Sequence, residues 1–316
     1  MEGVVDVYMR DILTRIGGFD LCVSEFVRVS QNLFPASVFY NYCPELKQGG
    51  KTPAGVPVHV QIMGGEVQVM AENAAFVAEL GAPGIDINFG CPAKTVNRHD
   101  AGATLLQWPD RLNMIVSAVR KAVPDTVPVS AKMRLGFSEK TLAMENALAI
   151  AEGGAGKLTV HARTKMEGYR PPAHWEYLRP IVERLDIPVV ANGEIWTPDD
   201  YRNCRKVSGS EHVMIGRGVI ARPSLGREIA AGRDNNTAQT AFDWIRILGL
   251  IAEYHHLIKA MNNPWRQAGR LKQWIKLLAR SYEEAGPLFM AIRRFDNPHD
   301  ILREVELTQE RVQRAA

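Results

Sequence analysis

One of the four cysteines, Cys91, lies in a turn that would suit acid–base or nucleophilic chemistry. It belongs to Asn88-Phe89-Gly90-Cys91-Pro92, which ends the short apolar run at 85–88. Gly90 and Pro92 are expected to fix the turn and leave the thiol at the strand end. No histidine and asparagine accompany it as in a nucleophilic triad, so a proton donor is as natural as a nucleophile. The alternative is packing, because most lone cysteines behave as small buried hydrophobes.

Three more polar residues interrupt or end apolar runs. Lys132 lies within the run at 129–133, where a lysine must line a cavity or be paired. A lysine facing a redox cofactor can stabilise negative charge on its reduced ring, and a structural ion pair is the alternative. Gln61 and His161 end other runs, and each alone is most simply a hydrogen-bonded core group.

Two glycine turns follow the last two apolar runs, at Asn192-Gly193-Glu194 and Gly216-Arg217-Gly218. Barrels commonly bind phosphate there, on backbone N–H groups and the N-terminus of a following helix. Arg217 would add a charge-assisted contact. Tight turns that need glycine for their backbone alone are the alternative.

Short apolar runs alternate with amphipathic stretches along the first three quarters of the chain. The runs are apolar throughout, as in parallel strands covered on both faces, which predicts a barrel or a doubly wound sheet. Six strand ends carry polar or glycine-rich clusters, and this favours a TIM (β/α)8 barrel, whose strand ends converge on one mouth. The predicted strands are 21–23, 58–62, 85–88, 129–133, 158–161, 189–192 and 213–215, and the predicted helices are 68–80, 111–122, 142–152, 175–184 and 198–207.

Beyond a polar linker at 233–237, the pattern is helical only. We therefore predict a barrel domain over 1–236 and an all-α helical bundle over 237–316. The chain carries 38 Lys and Arg against 35 Asp and Glu, and the whole excess lies in 241–316, with 12 against 9. The segment 259–280 holds six basic residues, two tryptophans and no acid, which indicates a polyanion partner. A solvated helix face with core tryptophans is the alternative.

Composition excludes several classes of protein. The 316 residues are 46% hydrophobic and 23% charged, which is ordinary for a globular chain and unlike disordered or fibrous proteins. No apolar run reaches the length of a membrane-spanning helix, and the first residues do not resemble a signal peptide, so we expect a cytoplasmic protein. The cysteines show neither a disulfide framework nor zinc-ligand spacing, so no metal is expected.

The motif set as a whole resembles the tRNA-dihydrouridine synthases, and most closely their bacterial C subfamily. The resemblance covers essentially the whole chain. It rests on the start Met1-Glu2-Gly3-Val4-Val5-Asp6, Glu25-Phe26-Val27-Arg28-Val29, Asn88-Phe89-Gly90-Cys91-Pro92, Lys132-Met133-Arg134-Leu135-Gly136, His161-Ala162-Arg163-Thr164, Asn192-Gly193-Glu194-Ile195, Gly216-Arg217-Gly218 and Arg270-Leu271-Lys272-Gln273-Trp274.

The resemblance implies an FMN-bearing barrel, NADPH as reductant, a helical tRNA-binding domain and reduction of the D-loop uridine at position 16. It implies Cys91 as the catalytic acid. A monomer without metal or membrane contact is expected. The implied cofactor residues are Met1, Gln61, Lys132, His161, Asn192, Gly193, Glu194, Gly216 and Arg217, and the implied substrate and tRNA residues are Arg28, Asn88, Tyr169, Arg270 and Lys272.

Arg270 and Lys272 project about 200° apart on an ideal helix. Both can meet RNA only if the strand wraps the helix end or the helix breaks near Gly269, where glycine favours a break.

The chain departs from the family pattern at its start. The family begins with an apolar strand that ends in a Leu-Ala-Pro-Met-like turn, and this sequence begins at the Met of that turn. The first barrel strand is therefore expected to be missing, which leaves two unpaired edges. A start assigned a few residues late and a truncated chain are the two explanations.

Two other functions compete with this interpretation. One is a small-molecule FMN oxidoreductase of dihydroorotate-dehydrogenase type, which would not need the basic C-terminal region. The other is a flavin-free tRNA-binding protein, which would not need Cys91, Lys132 and Gly216-Arg217.

Overall fold

The computed structural model describes residues 3–93, 100–233 and 241–315. They divide into two compact units, Asp20–Gly216 on the one hand and Met1–Phe19 with Arg217–Ala316 on the other. The predicted linker at 233–237 lies almost entirely outside the described residues. The predicted domain boundary after 236 stays a prediction; by compactness, the chain divides after Gly216.

The unit Asp20–Gly216 contains one sheet in which every pairing between named strands is parallel. The order is β1-β3-β4-β5-β6-β7-β8, and β2 also pairs with β3. Such a sheet with helical crossovers confirms the predicted barrel-type fold. The strands are β1 (Cys22–Val23), β2 (Val27–Arg28), β3 (Val58–Met63), β4 (Ile85–Phe89), β5 (Val129–Gly136), β6 (Lys157–Thr164), β7 (Val189–Asn192) and β8 (His212–Met214).

Strands β1 and β2 are two halves of one interrupted strand along β3. Cys22 pairs with Val58 and Val27 pairs with Ile62, so the two halves follow β3 in the same direction. Between them, the Ser24 hydroxyl accepts the backbone N–H of Gln61 at 3.0 Å and takes the place of a ladder bond. The predicted strand at 21–23 is present, and β2 was missed because its two residues carry no readable period.

Helices follow the strands, and all five predicted crossover helices are present with shifted ends. The last begins with a capping box, in which Thr197 and Asp200 each bind the other's backbone N–H. The helices of this unit are α2 (Ala36–Tyr42), α3 (Val67–Glu79), α4 (Pro109–Ala122), α5 (Ala143–Glu152), α6 (Leu178–Arg184) and α7 (Pro198–Ser208), with 3-10 turns at Pro44–Gln48, Gly102–Gln107 and Trp175–Tyr177.

The second unit is helical, and its first helix comes from the start of the chain. Asp6 caps the helix α1 (Val7–Ile16) by accepting the N–H of Met9 at 2.9 Å, and it also accepts the Tyr254 hydroxyl at 3.1 Å. Trp274 is buried against Tyr254 with ring centroids 5.0 Å apart. The helices are α1 (Val7–Ile16), α8 (Arg217–Ala221), α9 (Leu225–Arg233), α10 (Trp244–Ile258), α11 (Pro264–Leu278), α12 (Ala285–Ile292) and α13 (Pro298–Ala315).

Helix α11 corrects one expectation. It runs without interruption through Gly269, so no break separates Arg270 from Lys272. Its two tryptophans differ: Trp274 belongs to the core, whereas Trp265 is 72% exposed. Among all helices of the described residues, none combines the length and the apolar character that crossing a bilayer requires.

Candidate active site in the parallel-sheet unit

Five of the proposed site residues lie on five neighbouring strands. The register pairs Asn88 on β4 with Lys132 on β5, and it pairs His161 on β6 with Asn192 on β7. Gln61 on β3 stands beside Asp86 on β4. Because residues two apart on a strand share a face, these side chains belong to one polar surface.

A buried relay of side chains crosses this surface. The Ser130 hydroxyl donates to Asp86 Oδ1 at 2.7 Å, and Gln61 Nε2 donates to Asp86 Oδ2 at 2.7 Å. Asn88 Nδ2 then donates to Gln61 Oε1 at 2.8 Å, and Asn88 Oδ1 accepts the N–H of Gly90 at 2.9 Å. Three hydrogen bonds therefore connect a buried carboxyl to the turn that carries Cys91, and Ser130 binds the carboxyl from its other oxygen.

Asp86 was missed by sequence reasoning, although its position within the apolar strand at 85–88 was a usable signal. It is 2% exposed, and burial raises the pKa of its carboxyl above the ordinary value. Hydrogen bonds from Ser130 and Gln61, and the charges of Lys132 and Lys157, act in the opposite direction.

Lys132 is half-buried on β5, directly beside Asn88. Its pKa is lowered to about 8, chiefly by burial and also by the nearby Arg134, while Asp86 opposes the shift. A lysine tuned in this way is mostly a cation at neutral pH and can lose its proton within the range of ordinary assays.

Cys91 follows the relay and is 8% exposed. Its side chain packs in an apolar cluster with Met63 and Ala101, against which Phe26 and Ala93 also pack. Its carbonyl oxygen accepts the N–H of Ala103 at 3.1 Å. The turn is thus held on both sides of the thiol.

Arg134, which sequence reasoning did not single out as a site residue, connects this turn to the loop after β6. It is 2% exposed and donates from Nε to the Gly90 carbonyl at 2.8 Å. Its Nη1 donates to the carbonyls of Thr164 and Gly168 at 3.0 and 2.9 Å. Its guanidinium lies 5.3 Å from the ring of Tyr169, which is 54% exposed. The buried Arg134 therefore contacts both the turn that carries Cys91 and the ring of Tyr169.

Arg163 organises the other side of the surface and was also missed. It is fully buried and donates from Nε to the Arg170 carbonyl at 2.7 Å. It forms an ion pair with Glu194, and its Nη1 lies 3.4 Å from His161 Nε2. Glu194 also accepts the indole N–H of Trp196 at 2.8 Å. The Glu194 carboxylate, predicted to hold a cofactor, is therefore engaged by its own chain.

Gly193 meets a close approach of the His161 ring. A Cβ at this position would lie 2.9 Å from His161 Cδ2, and the backbone φ is +118°. Both facts require glycine. The neighbouring Asn192 donates from Nδ2 to the Met214 carbonyl at 2.7 Å, which ties β7 to β8.

The remaining cofactor candidates lie where the chain passes from one unit to the other, or outside the described residues. Gly216 ends the parallel-sheet unit after β8, and Arg217 begins α8 in the helical unit. Met1 lies outside the described residues.

The tRNA candidates divide between the two units. Arg28 is half-buried on β2, and Asn88 and Tyr169 belong to the surface described above. Arg270 Nε lies 3.6 Å from Asp6, and Lys272 Nζ lies 3.4 Å from Asp296. Arg270 and Lys272 therefore each have an acidic neighbour within the helical unit.

The donors of the surface fit the ring of a flavin, whose edge presents carbonyl oxygens and ring nitrogens. Gln61 spends one amide hydrogen on Asp86 and keeps a second, and the Lys132 ammonium carries three. Within the described ranges, no group of three or more His, Cys, Asp or Glu could hold a metal ion, so the expected absence of metal stays a prediction.

Comparison with known proteins gives consistent matches. The family model described as Dihydrouridine synthase (Dus) matches residues 1–289. A protein of Pseudomonas putida named tRNA-dihydrouridine(16) synthase is 53% identical over 297 residues, which cover 94% of this chain and 92% of that protein. One of the same name from Shewanella oneidensis is 49% identical over 309 residues, covering 98% and 96%.

Among solved structures, histamine dehydrogenase from Rhizobium sp. 4-9 aligns with a TM-score of 0.54 at 14% identity. The alignment covers 80% of this chain and 47% of that one, and it shows a shared fold.

Proposed function

Because this chain belongs to the dihydrouridine synthase family, we propose that it reduces the C5=C6 bond of uridine 16 in the D-loop of tRNA, with FMN as cofactor and NADPH as reductant. The resemblance of the motifs to this family is thereby confirmed. The small-molecule alternative of dihydroorotate-dehydrogenase type loses its support, since the relatives over nearly the full chain are named for tRNA.

The observation that carries the proposal is that Asn88, Gln61 and Lys132 share one polar surface and that Asn88 binds the turn that carries Cys91. Hydride delivery to C6 of uracil is the chemistry that bound FMN supplies. Cys91 donates the proton that C5 then requires. A thiol of ordinary pKa, about 8.5, is mostly protonated at neutral pH and can act as this acid. Asn88, held by Gln61, orients the uracil ring next to the thiol.

The cofactor would be held at two places. Gln61, Lys132 and His161 would contact the ring, where the Lys132 ammonium would stabilise negative charge. Asn192, Gly193, Glu194, Gly216 and Arg217 would hold the phosphate end, and Met1 would be a further cofactor contact. Since Glu194 is paired with Arg163, we assign its contribution to the backbone of its turn.

The tRNA would be held by the basic helical region and by Tyr169. Uracil must leave its stack to reach the site, which costs a few kcal/mol, and phosphate contacts of Arg28, Arg270 and Lys272 would offset this cost. A tRNA substrate also implies a cytoplasmic location. We propose that the protein acts as a monomer.

The decisive experiment uses an unmodified tRNA transcript, the purified protein, FMN and NADPH. We expect dihydrouridine at position 16, located by mass mapping of nuclease fragments, and none in a transcript with cytidine there. Product at another uridine only would correct the position. No product, or a purified protein that neither carries nor binds FMN, would favour the flavin-free tRNA-binding alternative.

A further inference from the structure

The relay of Ser130, Asp86, Gln61, Asn88 and Gly90 has a direction, because a carboxylate accepts hydrogen bonds and does not donate them. With Asp86 ionised, the amide nitrogen of Gln61 must face Asp86. Its Oε1 is then turned to Asn88 and can only accept. Asn88 must therefore donate from its own amide nitrogen to Gln61 Oε1. Its Oδ1 is then free to accept the N–H of Gly90. Each step follows from the one before it.

The same logic determines what the relay offers to a ligand. Gln61 and Asn88 have each spent one amide hydrogen within the relay, and each keeps one. Both residues therefore present an N–H group, which suits the carbonyl oxygens of a flavin or a uracil. Turning either amide over would break the relay and leave a buried group without its bond, which costs about 1–3 kcal/mol.

We propose that Asp86 is a positioning residue that sets the orientation of the Gln61 and Asn88 amides and, through Asn88, holds the Gly90-Cys91 turn. This inference rests on the proposed function only where it names flavin and uracil as the ligands. Asp86 touches neither; it acts through Gln61.

The test measures the rate at which iodoacetamide alkylates Cys91 in FMN-saturated protein, by peptide mass spectrometry. This rate reports how firmly the Gly90-Cys91 turn is held. In Asp86→Asn the side chain can donate as well as accept, so the amide orientations are no longer enforced. We expect Cys91 alkylation to rise about 5-fold to 10-fold, as the loss of one hydrogen bond implies. Fluorescence titration should show FMN binding weakened by about 10-fold.

A matched control and a rescue make the test specific. Ser130→Ala removes a bond to Asp86 Oδ1 and leaves the Gln61 contact, so it should change the Cys91 rate by less than about 2-fold. In the double variant Asp86→Asn with Gln61→Glu, the new amide donates to the new carboxylate, which again accepts from Asn88. The Cys91 rate should return to the wild-type value, while FMN binding stays weak because the donor of Gln61 is gone.

Cys43 and Cys204, both fully buried, report unfolding in the same sample. If Asp86→Asn labels them as well, return of all three rates in the double variant supports the relay, and failure to return overturns it. A wild-type Cys91 rate in Asp86→Asn, or no rescue in the double variant, also overturns the proposal. The labelling needs neither tRNA nor turnover. A wild-type protein that forms no dihydrouridine would therefore defeat the proposed function without affecting this result.

Discussion

At the scale of single residues, the thiol of Cys91 has little freedom to move, which bears on its proposed role as a proton donor. It is packed against Met63 and Ala101, and its turn is tied by Asn88 on one side and by Arg134 on the other. A nucleophile that must swing toward a substrate would be poorly served by such restraint. A proton donor needs only a fixed direction, and this arrangement provides it.

Replacing the thiol separates its role from that of the cofactor. We expect Cys91→Ala to keep FMN and to oxidise NADPH at the wild-type rate, since the thiol is proposed to act only after hydride transfer. Dihydrouridine formation should fall by at least about 100-fold, as for the loss of a general acid. Wild-type product in a single-turnover assay would instead assign Cys91 to packing.

Lys132 predicts a pH dependence of flavin binding. Its side chain has a pKa of about 8, so it carries a positive charge below pH 8 and loses this charge above pH 8. The charged groups that face it are Asp86 on β4 and Arg134 on its own strand. We expect the Kd for FMN to rise about 10-fold between pH 7 and pH 9, as measured by quenching of flavin fluorescence. Lys132→Met should show weaker binding with a flat profile, and an equal slope in both proteins would contradict the assignment.

The same residue affects stability with a definite sign. Between pH 8 and the ordinary lysine pKa of 10.5, the unfolded chain binds a proton that the folded chain does not. The contribution of Lys132 to the free energy of unfolding therefore rises with pH over this window.

At the scale of elements, helix α11 carries the basic character noted in the sequence, and its continuity changes what its residues can do. Arg270 Nε lies 3.6 Å from Asp6, and the side chain is only 22% exposed. This contact supports the helical unit and restricts how far Arg270 can extend toward a ligand. Lys272 is equally restricted, at 21% exposed beside Asp296, whereas Trp265 is 72% exposed. Of these three side chains, Trp265 is therefore the most accessible to an RNA strand.

The charges of α11 should appear in a salt titration. We expect Arg270→Ala with Lys272→Ala to weaken tRNA binding and to lower the slope of log K against log salt by about 0.7–0.9 for each lost phosphate contact. Arg314→Ala removes an exposed charge from α13 and should change neither quantity. Filter binding with an unchanged slope in the double variant would mean that these two groups do not touch tRNA.

Trp265 should act without charge. Stacking on a nucleobase is worth about 1–3 kcal/mol, so Trp265→Ala should weaken tRNA binding about 5-fold or more while leaving the salt slope unchanged. Trp265→Phe should retain most of the affinity. Equal affinities for all three proteins would leave Trp265 as a solvent-exposed residue with no part in binding.

Two glycines offer opposite outcomes for the same substitution. A Cβ on Gly269 meets nothing within 4 Å, so Gly269→Ala should raise the free energy of unfolding by about 0.5–1 kcal/mol and leave tRNA binding intact. Gly193→Ala must accommodate a positive φ and the His161 ring, so its melting temperature should fall. Calorimetry of both variants checks the pair, and a lower melting temperature for Gly269→Ala would contradict the open space around this position.

The sequence allowed the crossover helices and most strands to be predicted, because apolar runs and helical periods are local signals. The site residues Lys132, Gln61 and Asn88 could be singled out because they interrupt or end such runs. The relay and the two arginines could not, since their partners are distant in sequence: Gln61 meets Asp86 across 25 residues, and Arg134 meets Gly90 across 44. Local patterns do not report which strands become neighbours.

At the scale of the whole molecule, the two ends of the chain share one unit. Asp6 accepts the Tyr254 hydroxyl and lies beside Arg270, so α1 is joined to α10 and α11 by a single carboxylate. We expect Asp6→Ala to cost about 2 kcal/mol, from the lost cap and the lost hydrogen bond. Hydrogen exchange in 244–278 should accelerate while exchange in the sheet does not, and Asp199→Ala, on an 86% exposed carboxylate, should change neither. Uniform acceleration would contradict the division into units.

The joining of α1 to the last helices also has a consequence for synthesis on the ribosome. Asp6 and its partner Tyr254 are 248 residues apart, and translation at about 5–20 residues per second separates their appearance by roughly 10–50 s. During that interval the strands of the sheet are synthesised and can pair. The apolar side of α1 stays exposed until its partner helices are made. In newly made chains α1 should therefore be among the last helices to pack, and it is where a chaperone would be expected to bind.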